Sequence, residues 1–372
     1  MGTLMNDLTN LIRPEINNLP TYNAGLALDR FRDIYGVICL AKLDSNENPH
    51  GPSSHAIDAI QQGADKVSFY PDATSLNLRQ QIGAGVNIPA DRLVMGNGSE
   101  DLIGAIFRAT LRRGDHVITI CPSFGLHEFG AMACGATVAK IPFNADWSFP
   151  VKEVVEQLTK VPRVLIFSSP SNPAGPTIRE DEFDVIINAL SPETLFVFDE
   201  AYVEFVSEDA RFDALAKLNA TKLAWVSLRT FSKAYGLAGI RVGYGICAHA
   251  TIAGALMKAR NPFGVNALAA AAAGSAYADQ KHLKESVHLI VSERHRLQFE
   301  MAARGYKTAP SQANFLFFEC GENGVQFAEK LRHKGILIKG WLEEPYLNWA
   351  RVSVGLPEQN DAFLNALDHD NK

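Results

Sequence analysis

Cysteine is scarce in this chain, and no two cysteines stand at the spacing of a metal or redox pair. The five (Cys39, Cys121, Cys134, Cys247 and Cys320) are odd in number and scattered, which argues against a disulfide framework, a zinc knuckle and a CxxC motif. Free thiols of this kind suit a reducing cytosol. Long apolar runs are also missing: nothing reaches the ~20 apolar residues that a bilayer span needs, and the Ala-rich stretch 266–278 is broken by Gly274 and Ser275. The first ten residues lack a basic segment leading into an apolar one, so no secretory signal is read there. A cytoplasmic location without a membrane partner is expected. Basic residues are in the minority, 35 Lys and Arg against 41 Asp and Glu, a formal net charge of −6. The basic footprint of a nucleic-acid binder is therefore absent, and anionic small ligands have to be met by local groups.

What is present is an average globular composition, 47% hydrophobic and 20% charged, enough for a sizeable core. Short β-rich runs alternate with helical segments from about 90 to 250: Arg92 to Met95, Val117 to Ile120, Thr137 to Ile141, Val164 to Phe167, Leu195 to Phe198, Leu223 to Ser227 and Arg241 to Ile246. Near-continuous apolar strands separated by helices predict an α/β fold with a doubly wound, mostly parallel sheet. A long helical region, 268–304 with stops at Gly274 and Gly305, leads to strands and helices over 315–367 that read as a smaller α+β domain. The expected division is an N-terminal arm over 1–40, containing a short helix near 7–17, a large domain over 41–270 and a small domain over 271–372.

Ligands of a doubly wound sheet sit beyond the carboxyl ends of its strands, and the polar residues found there form a set. Gly96-Asn97-Gly98-Ser99-Glu100 frees backbone N–H groups at a helix N-terminus, an arrangement that suits a phosphate and equally an ordinary capped turn. Ser168 to Gly175 contains the turn formers Asn172, Pro173 and Gly175. Asp199, closing an apolar strand, needs a partner or a role as a helix cap. Lys233 lies in a hydroxyl-rich, Gly-punctuated stretch, Ser227 to Arg241, that could lower its pKa as a Schiff-base amine requires; read alone it is also an ordinary surface lysine.

Asn172-Pro173-Ala174-Gly175, Asp199-Glu200-Ala201-Tyr202 and Ser232-Lys233, with Arg241 eight residues on, resemble the fold-type I pyridoxal-phosphate aminotransferases of class I/II. Leu43 to Gly51 (with Asn46-Glu47-Asn48-Pro49), Tyr70-Pro71-Asp72, Gly96 to Glu100 and Leu228 to Arg241 are similar to the histidinol-phosphate aminotransferase branch, over nearly the whole chain. The resemblance implies pyridoxal 5′-phosphate as cofactor and no metal. It implies Lys233 as the lysine bonded to that cofactor and moving protons, Asp199 as the partner of the pyridinium nitrogen, and Asn172 with Tyr202 on the phenolic oxygen. Phe124 is implied as the ring that stacks on the cofactor. Gly98, Ser99, Glu100, Thr230, Ser232 and Arg241 are implied at the phosphate, with Tyr70 reaching it from a neighbouring subunit, so that a homodimer shares its active sites. Arg351 is implied as the clamp on the substrate's anion, with Tyr22, Asn46 and Lys339 also on the substrate side.

Three positions depart from the branch pattern. Ala24 replaces the proline of Tyr-x-Pro-Gly, His50 the usual tyrosine, and Lys339 a second arginine, which makes it a point charge and not a fork. The expected reaction converts histidinol phosphate and 2-oxoglutarate into imidazole acetol phosphate and glutamate. An aromatic amino acid aminotransferase is the alternative, followed by a phosphothreonine decarboxylase. A transcription regulator using the same fold would need a DNA-binding domain of roughly 60–80 basic-rich residues ahead of it, and is set aside because only about 40 residues precede the Asn46-Glu47-Asn48 motif.

Overall fold

The computed structural model describes residues 11–21 and 25–368. Among them, seven strands form one sheet in the order β2-β8-β7-β6-β5-β3-β4: β2 (Leu93–Gly96), β3 (His116–Cys121), β4 (Thr137–Pro142), β5 (Val164–Ser168), β6 (Leu195–Asp199), β7 (Trp225–Thr230) and β8 (Gly243–Cys247). Only β8 runs antiparallel to its neighbours. Strands β2, β5, β6 and β8 are buried along their whole length, as the unbroken apolar runs predict for a sheet covered on both faces. One face packs on a core that includes Phe167, Phe183, Phe196 and Phe198, the other on Leu102, Ile106, Phe107 and Leu256.

The smaller sheet has the order β11-β12-β9, all antiparallel, from β9 (Phe315–Glu319), β11 (Lys339–Gly340) and β12 (Trp349–Ser353). Helices Gly324–His333 and Pro357–Asp368 cover it. The expectation of a large, mostly parallel sheet with a smaller α+β unit is met. A two-residue parallel pair lies outside it: β1 (Ala41–Lys42) joins β10 (Ile336–Leu337), and Ala41 and Leu43 are buried with Leu316 and Phe318. Residues 41–43 thus pack with the second unit's core, although they precede the large sheet in sequence.

Several local expectations need correction. Strand β7 continues to Thr230, so Leu228, Arg229 and Thr230 are strand and not loop. The helical region breaks at Asp279 and not at Gly274. Helix Ala267–Ala278 carries Gly274 against Gln81, whose Nε2 donates to the Gly274 carbonyl at 2.8 Å, while the Asp279 side chain caps helix Gln280–Ala303 by accepting from His282 N. The arm contains a helix, Leu28–Tyr35, with Phe31 buried. Of the helix expected near 7–17, Pro14–Asn17 is helical, and 7–10 lie outside the described residues.

Aromatic rings join the two units. The turn at Trp147, a non-glycine residue at φ 66, brings its indole to 4.9 Å from Trp349, 5.7 Å from Tyr346 and 5.8 Å from Phe317. Lys140 ties the same seam by ion pairs to Glu128 and Glu343.

Strand β8 approaches the first strand-to-helix turn so closely that only glycine fits at Gly243: a Cβ there would stand 2.4 Å from Ser99 N and 2.8 Å from the Gly98 carbonyl carbon. Gly243→Ala is expected to destabilise the cofactor-free protein by about 1–3 kcal/mol, the usual cost of overpacking. Urea unfolding checks this, and an unchanged midpoint would show that the turn gives way freely.

Candidate active site

The carboxyl ends of β2, β5, β6 and β7 open into a cavity of about 1160 Å³, whose walls include Gly98, Ser99, Phe124, Asn172, Asp199, Tyr202, Thr230, Ser232, Lys233, Arg241 and Arg351. At one end, Gly98 at φ 80 precedes helix Ser99–Thr110 and leaves its first N–H groups facing the space. Arg241, itself at φ 65, closes over this turn: a Cβ on Gly98 would lie 2.5 Å from its Nη2. The guanidinium donates to Ala238 O at 3.0 Å and stands 3.7 Å from Glu100. The buried hydroxyls of Thr230 and Ser232 complete a cup of donors.

Asp199 lies at the centre, buried at the end of β6. One oxygen accepts from Ala201 N at 3.0 Å, and the other meets His127 Nε2 at 3.2 Å. An ionised carboxylate only accepts, so Nε2 carries the proton. His127 is fully buried, and its Nδ1 finds no hydrogen-bond partner among the described residues. Sequence reasoning missed this histidine; the only signal was its place three residues after Phe124, whose ring meets it edge-on at 5.8 Å.

Opposite, Lys233 Nζ donates to Ser45 O at 3.1 Å and sits 5.7 Å from the centre of the Tyr202 ring. Burial, reinforced by the Arg351 guanidinium and by Arg241 and Lys42 and opposed by Glu47, pushes the Lys233 amine down to about 7. Arg351 is buried; it donates to Asn172 Oδ1 at 2.7 Å and to Asp44 O at 2.6 Å. Lys339 is directly across the β11–β12 ladder from it, and burial followed by repulsion from Arg351 pushes it down to about 8. Two cations facing one cavity repel each other in a poorly solvated place, and an anion between them relieves the repulsion. The Tyr202 hydroxyl accepts from Asn46 Nδ2 at 3.0 Å.

Of the residues singled out in the sequence, Tyr70 is not brought to this cavity: it is 84% exposed and stacks on Phe263 at 4.7 Å. Tyr22 lies outside the described residues. Lys42, Glu47, Leu126 and Trp341 also line the space and were not anticipated there.

The aminotransferase class I and II family matches residues 40–367. The chain belongs to this family. Two similar aminotransferases are histidinol-phosphate aminotransferase 1 of Mesorhizobium japonicum, 40% identical over 98% of this chain and 99% of that one, and histidinol-phosphate aminotransferase 3 of Rhizobium meliloti, 41% identical over 96% of each. A crystal structure of histidinol-phosphate aminotransferase from Sinorhizobium meliloti in complex with pyridoxal-5′-phosphate superposes with a TM-score of 0.88 at 27% identity, covering 96% of both chains.

An aminotransferase lysine must be neutral to attack an aldehyde, and a depressed pKa supplies the neutral form above about pH 7. Capture of pyridoxal phosphate by the cofactor-stripped protein should therefore rise with a midpoint near pH 7 and then level off, with Lys233→Ala as the blank. A rate that keeps climbing toward the ordinary lysine value of ~10.4 would show that the amine is not perturbed.

Proposed function

We propose that this aminotransferase uses pyridoxal 5′-phosphate to move an amino group between histidinol phosphate and 2-oxoglutarate. The observation that carries the reading is the pairing of Lys339 with Arg351 at the substrate end of the cavity, the place for an anion larger or more charged than a single carboxylate. The two relatives named above carry the same activity in their names.

The residues present fit the cofactor. Gly98 leaves space where any side chain would collide with Arg241. The cup of Ser99, Thr230, Ser232 and Arg241 offers backbone, hydroxyl and guanidinium donors for a phosphate. Pyridoxal phosphate supplies a conjugated ring that accepts electrons from the substrate's α-carbon. Asp199, oriented by His127, would hold the proton on the ring nitrogen. Asn172 and Tyr202 would bond the cofactor's phenolic oxygen, and Phe124 would pack against its ring. Lys233, an amine poised near neutral pH, would take up and give back the proton at the substrate's α-carbon. Arg351 releases Asn172 or Asp44 to bind the substrate's carboxylate or phosphate.

The same proposal includes a homodimer in which Tyr70 enters the phosphate cup of a second copy. Support comes from the exposure of Val67, Phe69, Tyr70 and Phe263 in the single chain. It keeps the division into arm, large domain and small domain, with residues 41–43 packed on the last. It also places the protein in the cytoplasm, where its free cysteines stay reduced. Among the described residues, no helix is long and apolar enough to cross a membrane. A second reading, an aromatic amino acid as donor, is favoured by Trp341, which lines the cavity two residues from Lys339.

The test is to mix holoenzyme with histidinol phosphate or phenylalanine and follow loss of the cofactor's visible band. Histidinol phosphate should react much the faster. Lys339→Ala should cost on the order of 1.5–3 kcal/mol in kcat/KM for the phosphate ester, the range for hydrogen bonds to charged groups, and little for phenylalanine. The wild-type advantage should fade above about pH 8 as Lys339 loses its charge. Equal, small losses with both donors would remove the phosphate reading.

A further inference from the structure

Asn46 occupies the left-handed region at φ 54, where asparagine is tolerated better than most side chains, and it is 1% exposed. It is fixed from several directions. Its backbone N–H donates to Ser353 Oγ at 2.8 Å, its carbonyl accepts from Asn314 Nδ2 at 3.0 Å, and its side-chain Oδ1 meets Ser353 Oγ at 3.1 Å. Hydrogen-bond polarity settles the rest. Ser353 Oγ accepts from the backbone N–H and gives its one hydroxyl proton to Asn46 Oδ1. The amide orientation follows: Nδ2 faces Tyr202 and donates to its hydroxyl. With a lone pair of the phenol so engaged, the Tyr202 proton is turned away from Asn46.

We propose that Asn46 is a positioning residue: locked by Ser353, it sets the direction of the Tyr202 hydroxyl proton, so that this proton is given to the cofactor's phenolic oxygen. Asn46 therefore acts on the reaction through Tyr202 and does not itself contact substrate. The relay starts on β12, two residues from Arg351. Ser353 N also donates to Leu43 O at 2.8 Å, and Arg351 donates to Asp44 O, so segment 43–46 and the substrate-clamping strand form one hydrogen-bonded body. A donor to Tyr202 also polarises the phenol and strengthens its own donation.

The inference rests on the cofactor reading above, and its test separates the two. In holoenzyme, the visible band of the cofactor bound to Lys233 titrates with pH. Donation from Tyr202 favours the unprotonated form and holds the midpoint low. Asn46→Gly keeps the left-handed backbone without strain and removes the amide; the midpoint should rise by about half to one pH unit, as loss of one hydrogen bond implies. Asn46→Asp, which accepts where asparagine donates, should draw the tyrosine proton away and raise the midpoint further. In a Tyr202→Phe background, Asn46→Gly should add nothing, and Asn46→Asp should add only the effect of its charge. An unmoved midpoint in Asn46→Gly with a raised substrate KM overturns the relay and makes Asn46 a substrate contact; a full shift that persists without Tyr202 also overturns the relay. A wild-type protein with no visible band, or a band that survives Lys233→Ala, overturns the cofactor reading instead.

Discussion

The charge on Arg351 is the constraint around which the rest of the site is arranged. A guanidinium stays protonated under any condition the protein meets, so its neighbours have to adjust. Burial first, and then the arginine's charge, lower the proton affinity of Lys233 across the cavity and of Lys339 across the ladder. The arginine cannot be left bare in a poorly solvated place, and the structure satisfies it with the Asn172 amide oxygen and the Asp44 carbonyl. Both acceptors are neutral and can be exchanged for an anionic ligand. The nearby carboxylates of Asp44 and Glu47 are both engaged by Lys42, at 2.9 and 2.7 Å. A chain of net charge −6 thus keeps a cationic end in one cavity.

The opposite end follows a different rule, in which helix-terminal backbone and hydroxyl donors accompany the single guanidinium of Arg241. The turn between β7 and β8 returns the chain within a few residues, so Thr230, Ser232, Lys233 and Arg241 all come from one short stretch, and Gly243 lets β8 press against the Gly98–Ser99 turn. The cup of donors is consequently built from neighbouring strands of the large sheet, whereas the cationic end is built from the smaller sheet. The aromatic seam at Trp147, Trp349 and Phe317 fixes the distance between the two.

Much of this was legible in the sequence for definite physical reasons. Strands buried on both faces leave continuous apolar runs, and the residues closing β5, β6 and β7 stand where a parallel sheet presents ligands. What escaped were features without a local pattern. The β1–β10 pair is only two residues long and joins distant segments. The break at Asp279 depends on a cap, while Gly274, the stronger breaker by composition, is used for close packing against Gln81. Helix Leu28–Tyr35 buries only Phe31, too little for a clear periodic signal. His127 and Trp341 look like any core residue or surface aromatic until the fold brings them to the cavity, and nothing in the sequence indicates that Asn46 lies against Tyr202.

The pairing of β1 with β10 has a consequence for biosynthesis. Asn46 and its lock on β12 are 307 residues apart, and the parallel partner of Ala41 is Ile336. On the ribosome, the large sheet can form once β8 has emerged, since all seven of its strands lie between Leu93 and Cys247. The segment that carries Asn46 must wait, without its partner strand, until nearly the whole chain has been made. Closing so long a loop costs entropy that only the finished C-terminal core repays. The cationic end of the cavity is therefore completed only with the C-terminal core, and a nascent chain released early would hold a folded sheet without Lys339 and Arg351.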